Sequence, residues 1–277
     1  MIAKQNIDTG IRLFKSILKN ILGLGAIANS LTILPDDIFL VSYPRSGNTW
    51  TRFLLSNLIY DVQPDFDSIE NYIPDIYRNS DRRMLRLPKP RILKSHEMFD
   101  PRYPKVIYII RDGRDVAVSY YYYHRKFKAY NKNFDSFITE FVSGKLDRFG
   151  TWSANVTSWL ENKDKVRNDF LLLKYEDMLR NIRESMRKIC TFLELQCSEE
   201  SITKAIKKSS LEIMQQIEAK TEHQSKLFKN SNKQIKFIDG VKHQGWQNIF
   251  TEYSKKIFKK NFGWLLIELG YEKSLNW

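Results

Sequence analysis

The sequence predicts an α/β fold, a single domain in which a central parallel β-sheet is flanked by helices on both faces. Two patterns predict it. Short apolar runs that suit buried parallel strands recur at residues 38–42, 92–94, 106–110 and 170–174. Between and after them, apolar residues recur at helical spacing at residues 49–60, 115–124, 134–143, 151–161, 182–193 and 252–269. Strands that alternate with helices are typical of a parallel sheet that is covered on both faces.

Length and composition narrow the class of protein further. At 277 residues the chain is long enough for one large domain, and a hydrophobic share of 42% argues against disorder. The net charge of +13 predicts attraction to anions such as nucleotides, acidic glycans, anionic membranes or nucleic acid, without choosing among them. Two cysteines, Cys190 and Cys197, are too few for a disulfide framework, so we expect reduced thiols in a cytoplasmic protein.

The first 34 residues are expected to form a separate segment ahead of a main domain at residues 35–277. Apolar residues at helical spacing alternate with basic ones across residues 11–25, which predicts a basic amphipathic helix. We favour a helix that packs on its own domain over a peripheral membrane helix or a signal peptide, whose apolar core would be short and broken by glycine. No segment reaches the roughly 20 uninterrupted apolar residues that a membrane span needs.

Two stretches are predicted to be irregular. Residues 64–90 carry four prolines and many charges, which predicts an excursion without regular structure. Residues 215–236 are rich in Lys, Gln, Asn and Ser, which predicts a surface loop or a mobile lid. Gly270 follows the last helical stretch and is expected to cap its carboxyl end.

The first predicted strand runs into the sequence Tyr-Pro-Arg-Ser-Gly-Asn-Thr-Trp at residues 43–50, and a helical pattern follows at once. A turn between a strand and a helix presents backbone N–H groups at the positive end of the helix, where phosphate binds readily. The loop is not a Walker A motif, because it has one glycine and no lysine. Its candidate anion-binding residues are Arg45, Ser46, Gly47, Asn48, Thr49 and Trp50.

A second candidate anion site follows the third predicted strand. Arg111 comes at the end of that strand and Ser119 eight positions later, so an extended exit followed by about one and a half helical turns could bring both to one anion. Asp115 is expected in the first helical turn, where a negative charge suits the helix dipole.

These two motifs, in this order and about 60 residues apart, resemble those of the PAPS-dependent sulfotransferases. That family typically carries Tyr-Pro-Lys-Ser-Gly-Thr-Thr-Trp and then Arg-(Asn/Asp)-Pro-x-Asp-x-x-x-Ser. The likeness covers residues 36–270 and implies a cytosolic-type domain with a P-loop-like sheet, which we expect to be a bacterial member. It implies that the first loop holds the 5′-phosphosulfate of PAPS and that Arg111 and Ser119 hold its 3′-phosphate. The departures are Arg45 for Lys, Asn48 for Thr and Gly113 for Pro.

The end of the second predicted strand, Lys94-Ser95-His96, is similar to the family's Lys-Thr-His segment. The resemblance implies that His96 is the catalytic base, since a neutral imidazole can take a proton from a hydroxyl near pH 7. Lys94 lies two residues earlier on the same face of the strand and is well placed to offset charge on the sulfuryl group and the leaving phosphate. Glu97 is expected to be a solvated loop residue, with a second base as the alternative.

The resemblance also implies contacts with the adenine ring and the 3′-phosphate. Tyr-Glu-Asp-Met after the fourth strand matches the family, so Tyr175 and Trp50 are expected to flank the purine. The family's Arg-Lys-Gly motif is replaced by Asp-Gly-Val at residues 239–241. Either Lys236 or Lys242 supplies the charge there, or Arg111 and Ser119 hold the 3′-phosphate between them. Of the four tyrosines at residues 120–123, one or two are expected in the core and one or two at the acceptor pocket.

The sequence therefore predicts an enzyme that transfers the sulfuryl group of PAPS to a hydroxyl or amine, with Arg45, Lys94 and His96 at the reaction centre, and that releases adenosine 3′,5′-bisphosphate. The acceptor is expected to be a small molecule, glycan or lipid rather than nucleic acid, and no metal is required. The expected location is the cytoplasm, with peripheral membrane contact through residues 11–25 as a further possibility. The oligomeric state stays open. Two alternatives remain: a P-loop-type kinase, and a basic module that binds anions or glycans without catalysis.

Overall fold

Four parallel strands form the centre of the protein. The computed structural model describes residues 31–225, 227–238 and 245–277. Its strands are β1 (Ile38–Ser42), β2 (Ile92–Ser95), β3 (Lys105–Ile110) and β4 (Asp169–Lys174), in the order β2-β1-β3-β4. Every pairing is parallel. The predicted fold class is confirmed, and each predicted strand agrees with the observed one to within one residue at either end.

The helices of the described residues follow the strands in the alternating order that the sequence predicts. They are α1 (Asn48–Tyr60), α2 (Asp81–Met84), α3 (Gly113–Phe127), α4 (Phe134–Val142), α5 (Trp152–Leu160), α6 (Tyr175–Arg180), α7 (Ile182–Phe192), α8 (Glu199–Lys208), α9 (Leu211–Thr221) and α10 (Glu252–Glu268). Most begin at a side-chain cap; for example, Thr151 accepts a hydrogen bond from the N–H of Ala154 at the start of α5. Gly270, with φ of 73°, follows α10 as predicted.

The strands separate two apolar cores because successive side chains point to opposite faces of the sheet. On one face, Phe39 and Val41 of β1 belong to the core formed with α3, α4, α5 and α10. On the other, Ile38 and Leu40 pack with α1, α7 and α8. Both faces are therefore covered, and the loops at the carboxyl ends of the strands are left to form a site.

Residues 215–236, predicted to be a surface loop or lid, are partly helical and partly buried. The helix α9 extends to Thr221, and Phe228 is fully buried against Phe66. The prediction of an open loop was wrong here because the few apolar residues in this polar stretch pack into a third core with Phe53 and Met214. The helices α2, α6 and α8 were not predicted either. The helix α2 lies in residues 64–90, which were predicted to have no regular structure, and α6 begins directly after β4 without a break in the sequence pattern.

The two cysteines are bonded to each other, so the prediction of reduced thiols was wrong. Cys190 lies in the last turn of α7 and Cys197 in the loop that follows, with their Cα atoms 6.3 Å apart. The loop between α7 and α8, in which Glu194 adopts a positive φ of 58°, brings the two side chains together. The cysteines consequently give no support to the expected cytoplasmic location.

The predicted amphipathic helix at residues 11–25 lies outside the described residues, as does Lys242. The described chain begins at Leu31, which packs in the same core as α3 and α10. Among the residues that the structure describes, no helix is both long and apolar enough to cross a membrane.

A buried ion pair joins the starts of two neighbouring strands. Arg91, just before β2, donates through Nε to Oδ1 of Asp37, just before β1, at 2.7 Å. Both side chains are fully buried. Arg91 also donates to the carbonyl of Thr32 at 2.9 Å. The pair therefore ties the entry of β1 and β2 to the segment that precedes the sheet.

We predict that Arg91→Met destabilises the fold by about 3–5 kcal/mol, because the carboxylate of Asp37 is left buried without its partner. The double variant D37N/R91M should recover part of that loss. Urea unfolding of both variants, with the exposed Arg86→Met as the matched control, measures the effect. An R91M variant as stable as R86M would contradict the prediction.

Candidate active site

The carboxyl ends of the four parallel strands lie at one edge of the sheet, and the predicted site residues of the described chain follow them, except Lys94, which lies in the last part of β2. β2 lies on one side of β1 and β3 on the other, so the connections diverge at β1. A crevice forms at such a point in open α/β sheets and is where ligands bind.

The loop after β1 turns sharply into α1. Two of its residues adopt positive φ, Arg45 at 69° and Gly47 at 102°. Gly47 is the N-cap of α1, and no side chain caps the first turn of that helix. A Cβ atom on Gly47 would lie 2.5 Å from Cδ2 of Tyr175. The glycine therefore allows the backbone to approach the aromatic ring and leaves the first N–H groups of α1 without a side-chain cap.

Arg45 connects this loop with α3 and with the segment at residues 227–238, which we call the covering segment. Its Nε donates to Oγ of Ser119 at 3.1 Å and its Nη2 to the carbonyl of Phe237 at 3.2 Å. The guanidinium also lies 4.6 Å from the centre of the Phe237 ring. A planar, permanently charged group at this position joins three parts of the chain, which a lysine ammonium could not do with the same geometry.

The covering segment is anchored by a buried group of charges. Lys126 of α3, with a side chain 1% exposed, lies 2.6 Å from Glu222 and 3.4 Å from Glu218. Glu218 accepts hydrogen bonds from the backbone N–H groups of Phe237, at 2.5 Å, and Ile238, at 2.7 Å. The carboxylates therefore hold the segment that brings Phe237 to Arg45.

Arg111, immediately after β3, lies beside the same loop. Its Nη1 donates to the carbonyl of Arg45 at 3.1 Å, and its guanidinium lies 4.5 Å from the centre of the Tyr175 ring. Its Nε is buried without a hydrogen-bond partner, and so is Oγ of Ser46. Buried donors normally find partners, so these two atoms mark a place where a polar ligand would fit.

The two aromatic residues predicted to flank a purine lie together. The rings of Trp50 and Tyr175 are 5.9 Å apart and meet edge to face at 76°. Nε1 of Trp50 donates to the carbonyl of Ser209 at 2.9 Å, which fixes the indole. A flat ring system can lie against the face of one aromatic residue while the edge of the other contacts it.

His96 follows β2 and is held on several sides. Its Nδ1 lies 2.7 Å from the carbonyl oxygen of Ser42, so Nδ1 carries the proton and Nε2 holds the lone pair. Its backbone is fixed by Tyr77 Oη, which accepts from the His96 N–H at 2.7 Å, and by Asn155, which donates to the His96 carbonyl at 3.0 Å. Burial, helped by the charge of Lys94, holds the pKa of His96 well below its usual value. The imidazole is therefore a neutral base at neutral pH.

Lys94, two residues before His96, forms a buried ion pair with Asp75 at 2.6 Å. Burial raises the pKa of Asp75, but Lys94 and Arg52 outweigh it and lower the value to about 2. Burial also lowers the pKa of Lys94, against the pull of Asp75. The strand thus presents a charged pair and a neutral imidazole on one face.

A cavity of about 940 Å³ joins these groups. It is lined by predicted site residues: Arg45, Gly47, Asn48, Thr49, Trp50, Lys94, His96, Arg111, Ser119 and Tyr175. Ser46 is buried beside them. Of the tyrosine run, Tyr120 and Tyr123 line the cavity, three positions apart on one face of α3, while Tyr121 packs in the core. Sequence reasoning thus identified one side of the cavity wall.

Several residues of the wall were missed. Asp75, Tyr77, Phe149 and Phe237 line the cavity, although they come from loops that carry no motif. The ring of Phe149 lies 5.4 Å from that of His96. Asp115 is in the first turn of α3 as predicted, where it accepts from the N–H of Trp246 at 3.1 Å. Glu97 was expected to be solvated, but its side chain is only 13% exposed and lies 3.4 Å from Arg148, and it is not among the residues that line the cavity.

Comparison with known proteins agrees with this geometry. The sulfotransferase domain model matches residues 35–270, so the chain belongs to the sulfotransferase family. It is 33% identical over 227 residues to mouse sulfotransferase 1 family member D1, covering 75% of this chain and 74% of that protein. It is 35% identical over 199 residues to rat sulfotransferase 1E1, covering 65% of this chain and 66% of that protein. These relatives are mammalian, so the expected bacterial origin stays a prediction.

The fold is shared with a solved member of the same class. The crystal structure of mouse sulfotransferase SULT7A1 complexed with PAP superposes with a TM-score of 0.67 at 26% identity, covering 88% of this chain and 91% of that one. The predicted P-loop-like sulfotransferase fold is confirmed. Membership of the family makes this chain a transferase for sulfuryl groups.

We predict that the imidazole of His96 stays neutral, with its proton on Nδ1, as the pH falls through 6.5. The reason is that its pKa is lowered, so protonation is postponed to more acidic solution. Long-range ¹H–¹⁵N NMR spectra of the free protein, with H96Q to assign the resonances, distinguish the two states. A doubly protonated ring at pH 6.5, where a free histidine is half protonated, would contradict the prediction.

Proposed function

We propose that the protein transfers the sulfuryl group of PAPS to a hydroxyl or amine acceptor, with His96 as general base, and releases adenosine 3′,5′-bisphosphate. The observation that carries the proposal is the arrangement of His96: a backbone carbonyl holds Nδ1, and the ring lines the same cavity as both candidate anion loops. The relative SULT7A1 was crystallised with PAP. When bound, PAPS supplies the transferable sulfuryl group.

The residues of the first loop suit a 5′-phosphosulfate. The uncapped N-terminus of α1 and the buried hydroxyl of Ser46, which has no hydrogen-bond partner, offer donors to an anion. Arg111, with Nε buried and without a partner, and Ser119 would hold the 3′-phosphate. Tyr175 and Trp50 would contact the adenine. Lys242 stays a proposed further contact of the 3′-phosphate.

The proposed transfer is in line, directly from PAPS to the acceptor. As the acceptor oxygen forms the new S–O bond, its proton passes to Nε2 of His96, and the S–O bond to the phosphate breaks with its electron pair on the phosphate. Lys94 and Arg45 would offset the negative charge that develops on the transferred group and the leaving phosphate. Fixed charges in a buried site stabilise such charge without reorganising at the moment of reaction.

The acceptor proposed from the cavity wall is a small hydroxylated molecule with an apolar body. The wall next to His96 is aromatic, with Tyr77 and Phe149 both in ring contact with the imidazole. Phe66, Tyr123 and Phe237 extend the apolar surface. Ligand sites of this kind bury most of the ligand against apolar groups and orient it with a few polar ones.

The ligand that stabilises the protein distinguishes the proposed sulfotransferase from a kinase and from a binding module. A thermal-shift series with adenosine 3′,5′-bisphosphate, with ATP and Mg²⁺, and with a sulfated glycan compares the three. Stabilisation by the bisphosphate supports the proposal. Stabilisation by ATP with Mg²⁺ alone would favour a kinase, and a glycan effect that vanishes with salt would favour a binding module.

We predict that His96→Ala lowers the rate of sulfuryl transfer by about 10²–10⁴-fold, the usual contribution of a general base, and leaves affinity for adenosine 3′,5′-bisphosphate unchanged. Transfer from radiolabelled PAPS to a panel of phenols, alcohols and amines measures the rate, and calorimetry measures the affinity. The exposed His223→Ala is the matched control. An H96A rate within tenfold of the unsubstituted protein would remove His96 as the base.

We predict that Arg111→Met weakens binding of adenosine 3′,5′-bisphosphate by about 10–150-fold, the cost of one charged hydrogen bond. The affinity of R111M for adenosine 5′-monophosphate, which lacks the 3′-phosphate, should change little. The preference between the two nucleotides, measured by calorimetry, should therefore collapse in R111M and partly in Ser119→Ala. An equal loss for both nucleotides would show that Arg111 supports the loop rather than the 3′-phosphate. Exposed Arg82→Met is the matched control.

A further inference from the structure

Asp75 lies in the cavity wall, outside every motif of the sequence. The segment that carries it runs beside β2: the N–H of Lys94 donates to the carbonyl of Pro74 at 2.9 Å, and the N–H of Ile76 donates to the carbonyl of Lys94 at 3.2 Å. This isolated parallel bridge sets Asp75 directly opposite Lys94. The contact is therefore built into the backbone and does not depend on a chance meeting of two side chains.

The carboxylate of Asp75 is held in one orientation. Its Oδ1 accepts from the N–H of Tyr77 at 2.9 Å, and its Oδ2 accepts from Nζ of Lys94 at 2.6 Å. Its own N–H donates to Glu70 at 2.7 Å. The two side chains of the pair are only 9% and 12% exposed. Such a carboxylate is pre-organised to fix the ammonium in the cavity wall.

The other charges around Lys94 leave Asp75 as its direct counter-ion. Arg52 of α1 is paired with Glu70 at 3.0 Å, and Arg78 donates to the same carboxylate at 3.1 Å. His96 is neutral, and the ring of Tyr77 lies 5.4 Å from Nζ. Arg52 opposes the charge of Lys94, whereas Asp75 and the more distant Glu70 favour it. Without Asp75, the ammonium would face Arg52 in a buried setting.

We propose that Asp75 is a positioning residue that keeps Lys94 charged and directed into the cavity beside His96 during sulfuryl transfer. This inference rests on the proposed function. Asp75 does not need to touch the acceptor: it acts through Lys94, whose ammonium offsets charge on the transferred group. Removing the carboxylate lets Lys94 lose its proton at lower pH.

The rate of sulfuryl transfer should depend on pH through the positive charge of Lys94. Lys94 is active as an ammonium below its pKa, so its contribution is lost as the pH rises through that value. Asp75→Asn lowers the pKa of Lys94 further, so the alkaline fall of the rate moves to lower pH. On the acid side, set by His96, Lys94 keeps its proton, so only the loss of the Asp75 charge acts there; because that charge raises the pKa of His96, its loss moves the acid fall of the rate to lower pH as well.

The first experiment measures the charge of Lys94 without using turnover. Competitive labelling of lysines with acetic anhydride at a series of pH values, read by mass spectrometry, gives the midpoint for Lys94 in the unsubstituted protein and in D75N. We expect the midpoint to fall by at least about one pH unit, a tenfold change in proton affinity. Asp164→Asn, which removes an exposed carboxylate, is the control. An unchanged midpoint in D75N would overturn the proposal.

The second experiment links that change to the reaction. We expect kcat/KM for the acceptor at saturating PAPS to fall in D75N by a factor that grows with pH, reaching at least tenfold at the alkaline end. On a Lys94→Met background the same substitution should cost less than twofold. An equal loss from D75N with and without Lys94 would overturn the proposal. If the unsubstituted protein transfers no sulfuryl group, the proposed function fails, and the labelling result still decides the Asp75–Lys94 pair.

Discussion

The parallel direction of all four strands is the constraint on which the site depends. Because the strands run the same way, the residues that follow β1, β2, β3 and β4 meet at one edge of the sheet. Arg45, His96, Arg111 and Tyr175 come from those four separate connections. An antiparallel arrangement would send alternate connections to the opposite edge. The strand direction thus brings motifs that are far apart in the chain together around one cavity.

The site at this edge of the sheet also requires that its buried charges be paired. The pairs Lys94–Asp75 and Arg52–Glu70 neutralise one side of the cavity, while Lys126 with Glu218 secures the covering segment. Arg111, by contrast, keeps a buried Nε without a partner. The protein therefore satisfies the charges that position the site and leaves donors open where an anion is proposed to bind.

Arg45 shows how a departure from the familiar motif is accommodated. Its guanidinium bonds to Ser119 and to the carbonyl of Phe237, so the first loop contacts the covering segment directly. A lysine has a single nitrogen at the end of its chain and cannot make both contacts with a rigid fork. The substitution is thus linked to the packing of Phe237, which comes directly after the stretch that was predicted to be a surface loop or lid.

The sequence by itself determined the sheet, the main helices and the residues at the strand ends, because apolar period and turn chemistry are local properties. It placed His96 and Arg111 at strand ends for that reason, whereas their proposed roles came from the resemblance to a known family. Only the tertiary structure decided what faces them. Asp75 is 19 positions from Lys94, and Phe237 is 192 from Arg45. No local pattern records such contacts, since they arise from the way the cores bring loops together. The bond between Cys190 and Cys197, seven positions apart, depends on the conformation of the loop between α7 and α8.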